Sequence, residues 1–338
     1  MDLSFILTLF VFITALIFIF SNGYNNSADI VATIVSTQSL SLRKAVVLAA
    51  ICEFFGAVFL GTGVAKTMIT GVIDPMVLQS SQSAGVTMIF ASLLGAALWN
   101  IFCTRLGFPV SASHSLIGAL TGSMYIGYGV HSIKWYGILK LILIMIATPF
   151  IGLLIGFLVT KITYFLVEGS TPRIKKVFKV LQILFSMLMA FSHGANDTQK
   201  TVGIIMLSLL ATGNAAAGTV SLWVKIPVAV FMSFGILFGG EHVIKTVGAG
   251  IYKIRQINGF AAQFSGSIVL YFSTVFGYPV SSTHIISSAI MGTGSAEKAK
   301  YVKWDKIIEI VFVWVITMPL AAVVSGLIHL LLKKMLSI

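Results

Sequence analysis

Long apolar runs with almost no charge constrain this chain more than any other feature of its sequence. The first run, Leu3 to Phe20, contains no charged side chain. Of the 338 residues, 57% are hydrophobic and only 9% are charged, whereas soluble domains carry about 25% charged residues. A membrane-spanning helix needs about 20 apolar residues, so the chain has room for roughly ten to twelve spans. We therefore predict a polytopic membrane protein with little room for a soluble domain.

The apolar runs predict helices rather than the strands of a membrane barrel. Barrel strands alternate apolar and polar residues with a period of two, and the first run shows no such alternation. We predict that this run is a retained span and not a signal peptide, because no basic residue precedes it and no small-residue cleavage site follows it.

Charged residues and cysteines exclude several classes of protein. The chain has 22 basic and 10 acidic residues, a net charge of +12. In a membrane protein this excess indicates cytoplasmic loops near anionic lipid, not nucleic-acid binding. The most polar connection, residues 161–179, is predicted to be a basic cytoplasmic linker. Cys52 and Cys103 lie in apolar runs and are predicted to be small buried side chains, without a disulfide or metal.

Nine segments are long and apolar enough to predict spans. They lie near residues 3–20, 44–60, 85–104, 135–160, 178–192, 201–211, 222–239, 258–275 and 307–332. Two further stretches, near 109–130 and 279–294, are shorter and rich in Gly and Ser. Each is predicted to be a re-entrant hairpin of half-helices.

Three short segments recur in the same order after about half the chain length. The pairs are Gly107–His114 with Gly277–His284 (170 residues apart), Ser21–Asn25 with Ser192–Asn196 (171), and Gly61–Thr67 with Gly240–Thr246 (179). We predict two homologous repeats, 1–160 and 180–338, each with one hairpin. Duplicated halves with broken helices are typical of secondary transporters. An odd number of crossings per half would make the repeats inverted, although Lys333 and Lys334 weigh against an external C-terminus.

The first recurring segment predicts two helix N-termini that face an anion. Pro109 and Pro279 suit the first turn of a helix, and the free N–H groups of that turn bind phosphate or sulfate. For one copy alone, an ordinary helix cap would be the alternative. Hydroxyl groups follow both prolines, at Ser111, Ser113, Ser281, Ser282 and Thr283. His114 and His284 share a helix face with the first of these hydroxyls in each half, and either an anion contact or a structural hydrogen bond would suit them.

The second recurring segment places polar side chains where the first and fifth predicted spans end. They are Asn22, Asn25, Asn26 and Asp29 in the first half, and His193, Asn196, Asp197 and Gln199 in the second. Their oxygens are ligands that hard cations prefer. Lys200 stands at the repeat position of Asp29, so it either pairs with Asp29 or offsets the charge of the anion. Glu53 and Glu241 are further acids for a gate, an interface or a binding site, whereas Lys66 and Lys245 are interpreted as helix-end anchors.

Together these segments resemble the signatures of a known family. Asn22-Gly-Tyr-Asn-Asn-Ser-Ala-Asp29, Ser192-His-Gly-Ala-Asn-Asp-Thr-Gln-Lys200 and the paired Pro-Val-Ser-x-[Ser/Thr]-His segments are similar to those of the inorganic phosphate transporter (PiT) family over essentially the whole chain. The resemblance implies cation-coupled phosphate symport, two inverted repeats, re-entrant hairpins and a dimer. Asn26 departs from the pattern, because the second half has Asp197 at that position. The long loop that some eukaryotic members carry between the halves is missing.

From the residues and the resemblance together, we expect an importer of inorganic phosphate with sodium ions, working by alternating access around a midplane site at the repeat interface. The expected phosphate ligands are Asn25, Ser111, Ser113, Asn196, Ser281, Ser282 and Thr283. The expected sodium ligands are Asn22, Asn26, Asp29, Asn196 and Asp197. Accessory or gating roles are expected for His114, His193, Gln199, Lys200 and His284. We expect no cofactor besides the co-transported sodium, a homodimer in the cell (inner) membrane, and no nucleic-acid partner.

Charge and missing motifs separate this hypothesis from its alternatives. Moving a phosphate dianion against about 100 mV costs roughly 2 × 2.3 kcal/mol, so at least two cations must accompany it. A proton-coupled phosphate or sulfate symporter, which would depend on His114, His193 or His284, is the main alternative. An intramembrane hydrolase is disfavoured because neither a His-Glu-x-x-His nor a Gly-x-Ser-x-Gly pattern is present, so no enzyme is expected. Saturable, sodium-dependent uptake would distinguish a carrier from a channel.

Overall fold

The computed structural model describes residues 3–73, 77–78, 82–214 and 220–336. Within these ranges the chain is helical apart from short connections and an isolated β-bridge between Ile73 and Ile133. The helices of the first half are α1 (Leu3–Ser36), α2 (Leu42–Phe59), α3 (Gly63–Gly71), α4 (Gln82–Arg105), α5 (Ala112–Tyr128) and α6 (Trp135–Leu166). Those of the second half are α7 (Ile174–Ala211), α8 (Leu222–Phe238), α9 (Glu241–Lys245), α10 (Gln256–Val275), α11 (Ser282–Lys298) and α12 (Trp304–Leu336). The prediction of an all-helical chain is confirmed.

Both halves have the same order of helices and the same packing partners. Helix α1 packs on α8 and α4, and its counterpart α7 packs on α2 and α10. Likewise α5 packs on α12, and α11 packs on α6. Each half therefore buries its helices against the other half, so the two form one body with the polar segments of α1 and α7 inside it.

Several helices are long and apolar enough to cross a membrane. Among the described residues these are α1, α4, α6 and α12, with two further candidates in the bent pairs α2–α3 and α8–α9. The first pair bends by 67° and the second, followed as far as Gly248, by 64°. The bends lie at the third recurring segment, so both halves contain a broken helix at a position where the sequence predicted none. Large apolar side chains such as Phe150 and Phe312 are exposed on the outer surface, as lipid contact requires.

The structure corrects three predicted boundaries. The spans near 178–192 and 201–211 are parts of one helix, α7, and the polar segments of α1 and α7 lie inside these helices instead of at their ends. No proline interrupts either segment, so the backbone hydrogen bonds of the helix continue through it. The linker between α6 and α7 is only residues 167–173, because helix covers most of 161–179.

The two stretches predicted as hairpins of half-helices also differ from expectation. Each forms one helix of 17 residues, α5 or α11, and the preceding helix, α4 or α10, is the other arm of the hairpin. The turns contain Gly107 and Gly277, with φ of 77° and 75°, a region that favours glycine. The prolines lie two residues before the N-caps Ser111 and Ser281, not inside the first helical turn.

Close helix crossings bring the polar segments to the centre of the bundle. A Cβ atom on Gly194 of α7 would collide with the Glu53 carbonyl of α2, and one on Gly56 would collide with the Phe191 carbonyl. Gly23 and Gly235 make the equivalent crossing of α1 with α8. Small residues let helix backbones approach closely in membranes, and the first crossing places the Glu53 side chain beside α7.

Candidate functional site

The N-termini of α5 and α11 meet at the centre of the protein. The Ser113 hydroxyl donates to the Val280 carbonyl at 3.0 Å, and the Thr283 hydroxyl lies 3.3 Å from the Val110 carbonyl. These two contacts are equivalent under the repeat, and all four residues are buried. The predicted pair of facing helix tips is therefore present in the structure. Each tip carries a positive partial charge, because it is a helix N-terminus.

Ser111 and Ser281 act as N-caps of these two helices. Their side-chain oxygens accept hydrogen bonds from the backbone N–H groups of His114 and His284, at 3.2 and 3.3 Å. The Ser111 oxygen also lies 2.7 Å from the His114 Nδ1 atom. Of the predicted anion ligands, Ser111 and Ser281 thus have a local structural role, which fixes where each helix begins.

His114 and His284 belong to a stack of rings. Their ring centroids are 4.6 Å apart, and the His284 ring lies 3.9 Å from the Trp314 ring. The Trp314 indole donates to the Pro109 carbonyl at 3.2 Å. All three rings line an apolar cavity of about 500 Å³ between α6 and α12. The stack therefore connects the turn before α5 to helix α12.

Lys200 binds three oxygens at the helix tips. Its Nζ atom donates to Asp197 Oδ1 at 2.5 Å, to the Ser113 hydroxyl at 2.6 Å and to the Val280 carbonyl at 2.6 Å. The side chain is almost completely buried. Lys200 thus pairs with Asp197, which lies one turn earlier on the same helix, and not with Asp29, a pairing that was one of the two roles considered for it.

The Asp197 carboxylate is surrounded by donors. Besides Lys200, it accepts hydrogen bonds at Oδ2 from the side-chain amides of Asn22 and Asn26, at 2.9 and 3.1 Å. The Asn26 amide also donates to Asn22 Oδ1 at 2.8 Å. The oxygens of Asn22 and Asp197, predicted as sodium ligands, are thus already hydrogen bonded within the protein.

A second group of oxygens lies around Thr283 on the other side of the helix tips. The Thr283 hydroxyl donates to Asp29 Oδ2 at 2.9 Å and lies 3.3 Å from both Asn26 Oδ1 and the Val110 carbonyl. The Ser282 hydroxyl is 3.4 Å from the Asn26 amide. The Thr283 hydroxyl has one proton and can donate it to only one of these three acceptors at a time. The group therefore has more oxygens than this proton can satisfy, and they are of the kind that hard cations prefer.

Glu53 and His193 form a buried pair beside this site. The His193 Nδ1 atom lies 2.5 Å from Glu53 Oε1, and both side chains have no exposed surface. On its other edge His193 Nε2 lies 3.4 Å from Asp197 Oδ2. The three side chains form a row rather than a converging set, and across the described ranges no three His, Cys, Asp or Glu side chains are arranged to hold a metal ion.

Asn25 and Asn196 hold the turns that lead into the helix tips. The Asn25 amide donates to the Thr104 hydroxyl at 2.7 Å and the Phe108 carbonyl at 3.1 Å. In the second half, the Asn196 amide donates to Thr274 and Tyr278, both at 3.0 Å. These two predicted ligands therefore position the hairpin turns in the same way in both halves.

Gln199 connects α7 to the broken helix of the first half. Its side-chain oxygen accepts from the Val64 backbone N–H at 2.9 Å, and its amide donates to the Leu60 carbonyl at 2.9 Å. The side chain thus satisfies backbone groups on both sides of the α2–α3 bend.

Comparison with known proteins identifies the family of this chain. The profile of the family described as "Phosphate transporter family" matches residues 22–325, which include every site residue described above. The chain belongs to the phosphate transporter family. Its members are transporters and not enzymes, as we expected.

Relatives within the phosphate transporter family extend over nearly the whole chain. A protein of Bacillus subtilis (strain 168) is 36% identical over 335 residues, covering 98% of this chain and 99% of the relative. One of Rhizobium meliloti (strain 1021) is 40% identical over 315 residues, covering 93% and 92%. Both are named "Probable low-affinity inorganic phosphate transporter". A solved structure titled "The sodium-dependent phosphate transporter" has a TM-score of 0.85 at 24% identity and covers 97% of this chain and 99% of its own, so the two share a fold.

Sequence reasoning about this phosphate transporter family member missed the residues that act through backbone atoms. The Val280 carbonyl accepts from Lys200, and the Val110 carbonyl belongs to the group around Thr283. A backbone carbonyl leaves no signature in residue type. Thr104 and Thr274, the partners of the two asparagines, are also 170 residues apart. This spacing equals that of the Pro-Val-Ser segments, so the repeat itself could have identified them.

Proposed function

We propose that this protein imports inorganic phosphate together with sodium ions across the inner membrane of a prokaryotic cell. The observation that carries the proposal is the meeting of two helix N-termini around the buried Lys200 ammonium, in a chain of the phosphate transporter family. Both N-termini carry a positive partial charge, and the Lys200 ammonium offsets the charge of the nearby Asp197 carboxylate, so a phosphate anion is the substrate that such a site would attract.

In this proposal the first turns of α5 and α11 hold the phosphate. The backbone N–H groups of Ser113, Ser282 and Thr283 and their hydroxyls are the donors. The hydroxyl contacts from Ser113 to Val280 and from Thr283 to Val110 would be exchanged for contacts with phosphate oxygens. Ser111 and Ser281 act as caps, and Asn25 and Asn196 act as positioning residues for the hairpin turns.

The proposed sodium site is the oxygen group around Thr283. Asn26, Asp29 and Thr283 supply side-chain oxygens, and Val110 supplies a carbonyl. The fold shared with a protein titled as sodium-dependent supports sodium as the coupling ion. Two positive charges are needed to balance a phosphate dianion in the membrane potential. We assign Asn22 and Asp197 to the Lys200 environment rather than to sodium.

Alternating access is the proposed mechanism. The hairpins α4–α5 and α10–α11 carry the site, while α6 and α12 form an outer scaffold with an apolar surface. Movement of the hairpins relative to the scaffold would open the helix tips to one side of the membrane at a time. We further propose inverted repeats, a cytoplasmic linker at residues 167–173 and a homodimer that buries part of the apolar surface.

Proton coupling is a second candidate mechanism, and one observation favours it. Glu53 and His193 are completely buried, in contact with each other, and linked through Asp197 to the helix tips. A proton taken up by this row would reach the site without an additional ion.

Uptake of radiolabelled phosphate into proteoliposomes tests both candidates. We expect accumulation when an inward sodium gradient is imposed, and none with a potassium gradient of equal size. Accumulation driven by a pH gradient in sodium-free buffer, and abolished by Glu53→Gln, would instead support proton coupling. Uptake that does not saturate with phosphate would contradict a carrier of either kind.

A further inference from the structure

The Lys200 ammonium occupies a pocket made entirely of oxygen acceptors. Asp197 supplies a carboxylate oxygen, Ser113 a hydroxyl and Val280 a backbone carbonyl, all at 2.5 to 2.6 Å from Nζ. An ammonium has three donors and no acceptor, so these three oxygens use all of them. In this arrangement no donor of Lys200 is left for a bound anion.

The duplication builds a second group with the same three kinds of oxygen. Asn26 is the repeat equivalent of Asp197, Thr283 of Ser113, and Val110 of Val280. These three residues form the group around the Thr283 hydroxyl, at 3.3 Å from Asn26 Oδ1 and Val110 O. Each group therefore contains one Asn or Asp oxygen and one valine carbonyl from one half, and one hydroxyl from the other half, at the junction of the helix tips.

The two groups differ in the residue one helical turn after the Asn or Asp. In the second half it is Lys200, whose ammonium lies among the three oxygens. In the first half it is Asp29, whose carboxylate adds a fourth oxygen at 2.9 Å from the Thr283 hydroxyl. One group thus contains its own positive charge, and the other has an additional negative charge and needs one from outside.

We propose that Lys200 is a tethered cation, which permanently occupies one of two equivalent cation positions and leaves the other, at Asp29, for a sodium ion. The proposal refines the sodium coupling proposed above and rests on it for the occupant of the Asp29 position. In this proposal Lys200 sets the number of sodium ions that are coupled to transport. With this lysine, the protein binds one sodium ion fewer than it would without it. A lysine that serves as an anion ligand predicts no such change in sodium binding.

Equilibrium binding of radioactive sodium to the purified full-length protein in detergent tests the proposal. The number of ions bound per protomer is compared between the wild type and Lys200→Asn. We expect the variant to bind one additional sodium ion, because the oxygens of Asp197, Ser113 and Val280 lose their tethered charge. Lys225→Asn is the matched control, since Lys225 is another largely buried lysine whose ammonium donates to carbonyls, at Val58 and Gly61. It should bind as many ions as the wild type.

A repeat-swapped variant keeps the proposal testable if Lys200→Asn does not fold. The double substitution Asn26→Asp with Asp29→Lys copies the second group into the first and should bind one sodium ion fewer than the wild type. Folding of each variant is checked by its elution as a single species in size-exclusion chromatography.

The outcomes separate this proposal from the one it rests on. Equal sodium counts in the wild type and the folded variants, with sodium-driven uptake intact, would overturn the tethered cation alone. A wild type that binds no sodium would contradict both the sodium coupling and the assignment of the Asp29 position.

Discussion

At the residue scale, the two halves of the site have similar shapes and opposite charges. Asp29 and Lys200 occupy equivalent positions on α1 and α7, and both are buried at the helix tips. Lys200 is paired with Asp197, whereas Asp29 accepts a hydrogen bond from the neutral hydroxyl of Thr283. A buried charge without a partner is costly, so the Asp29 side is the side that should attract a cation.

Replacement of Asp29 by asparagine tests this assignment. Asp29→Asn keeps the shape and an oxygen acceptor but removes the negative charge. We expect at least a tenfold loss of apparent sodium affinity, equivalent to about 1.4 kcal/mol, with a smaller change in the apparent affinity for phosphate at saturating sodium. The measurement is phosphate uptake as a function of sodium concentration. Glu309→Gln is the control, since Glu309 is half-exposed and pairs with Lys306 on the surface. Unchanged sodium activation in Asp29→Asn would exclude Asp29 from the sodium site.

Sequence alone could indicate which candidate residues lie near one another but not which of them are bonded. The recurring segments identified Asp29, Asp197 and Lys200 as a group. They did not indicate that Lys200 binds Asp197, because that pairing depends on helix α7 continuing through Gly194 and Asn196. Side chains three and four positions apart meet on a helix, whereas beyond a helix end they would diverge. With this segment interpreted as a helix end, the pair of Lys200 with Asp197 was not among the two roles considered for the lysine.

At the element scale, the hairpin turns are held in place by side chains from α1 and α7. Asn25 reaches across to the turn between α4 and α5, and Asn196 to the turn between α10 and α11. Each asparagine also donates to a threonine near the C-terminus of the helix before that turn, Thr104 of α4 or Thr274 of α10. The positions of both helix tips thus depend on one amide in each half.

Alanine substitutions of the two asparagines should therefore have similar effects. We expect Asn25→Ala and Asn196→Ala each to raise the KM for phosphate several-fold, because the helix tips lose their fixed separation. Amide hydrogen exchange should increase in residues 106–111 of the first variant and in 276–281 of the second. Asn214→Ala is the control, since Asn214 has an exposed side chain whose amide donates to its neighbour Thr212. A higher KM without faster exchange would indicate that the asparagines contact phosphate directly.

The helical elements were predictable where apolar runs were long, and less so where polar residues interrupted them. The runs that became α4, α6 and α12 were correctly predicted from hydropathy. The breaks at α2–α3 and α8–α9 were not predicted, although the third recurring segment lies at both of them. Hydropathy failed at α7, where a polar segment continues as a helix because its side chains are hydrogen bonded to α1 and α2 inside the protein. Such long-range partners leave no local signal.

At the scale of the whole molecule, helices of each half pack against helices of the other half. α1 of the first half packs on α8 of the second, and α7 packs on α2 in the same way. α5 and α11 likewise pack on α12 and α6. This packing places the N-terminus of α5 and that of α11 between helices of both halves. A movement of one half relative to the other would therefore change the separation of these two helix tips. The site is therefore sensitive to the arrangement of the whole bundle.

The direction of the repeats in the membrane can be tested at two equivalent loops. His131 precedes α6, and Tyr301 precedes α12 at the same repeat position 170 residues later; both are exposed. Because Cys52 and Cys103 are both free, the background for labelling is a Cys52→Ala, Cys103→Ala variant. In inverted repeats with a cytoplasmic linker, His131→Cys should react with a membrane-impermeant maleimide in intact cells. Tyr301→Cys and Thr171→Cys should react only after permeabilisation, because an inverted second half places its loop on the cytoplasmic side. Labelling of His131→Cys and Tyr301→Cys from the same side would instead require parallel repeats, in which both helix tips point in one direction and could not meet the phosphate from opposite sides of the midplane.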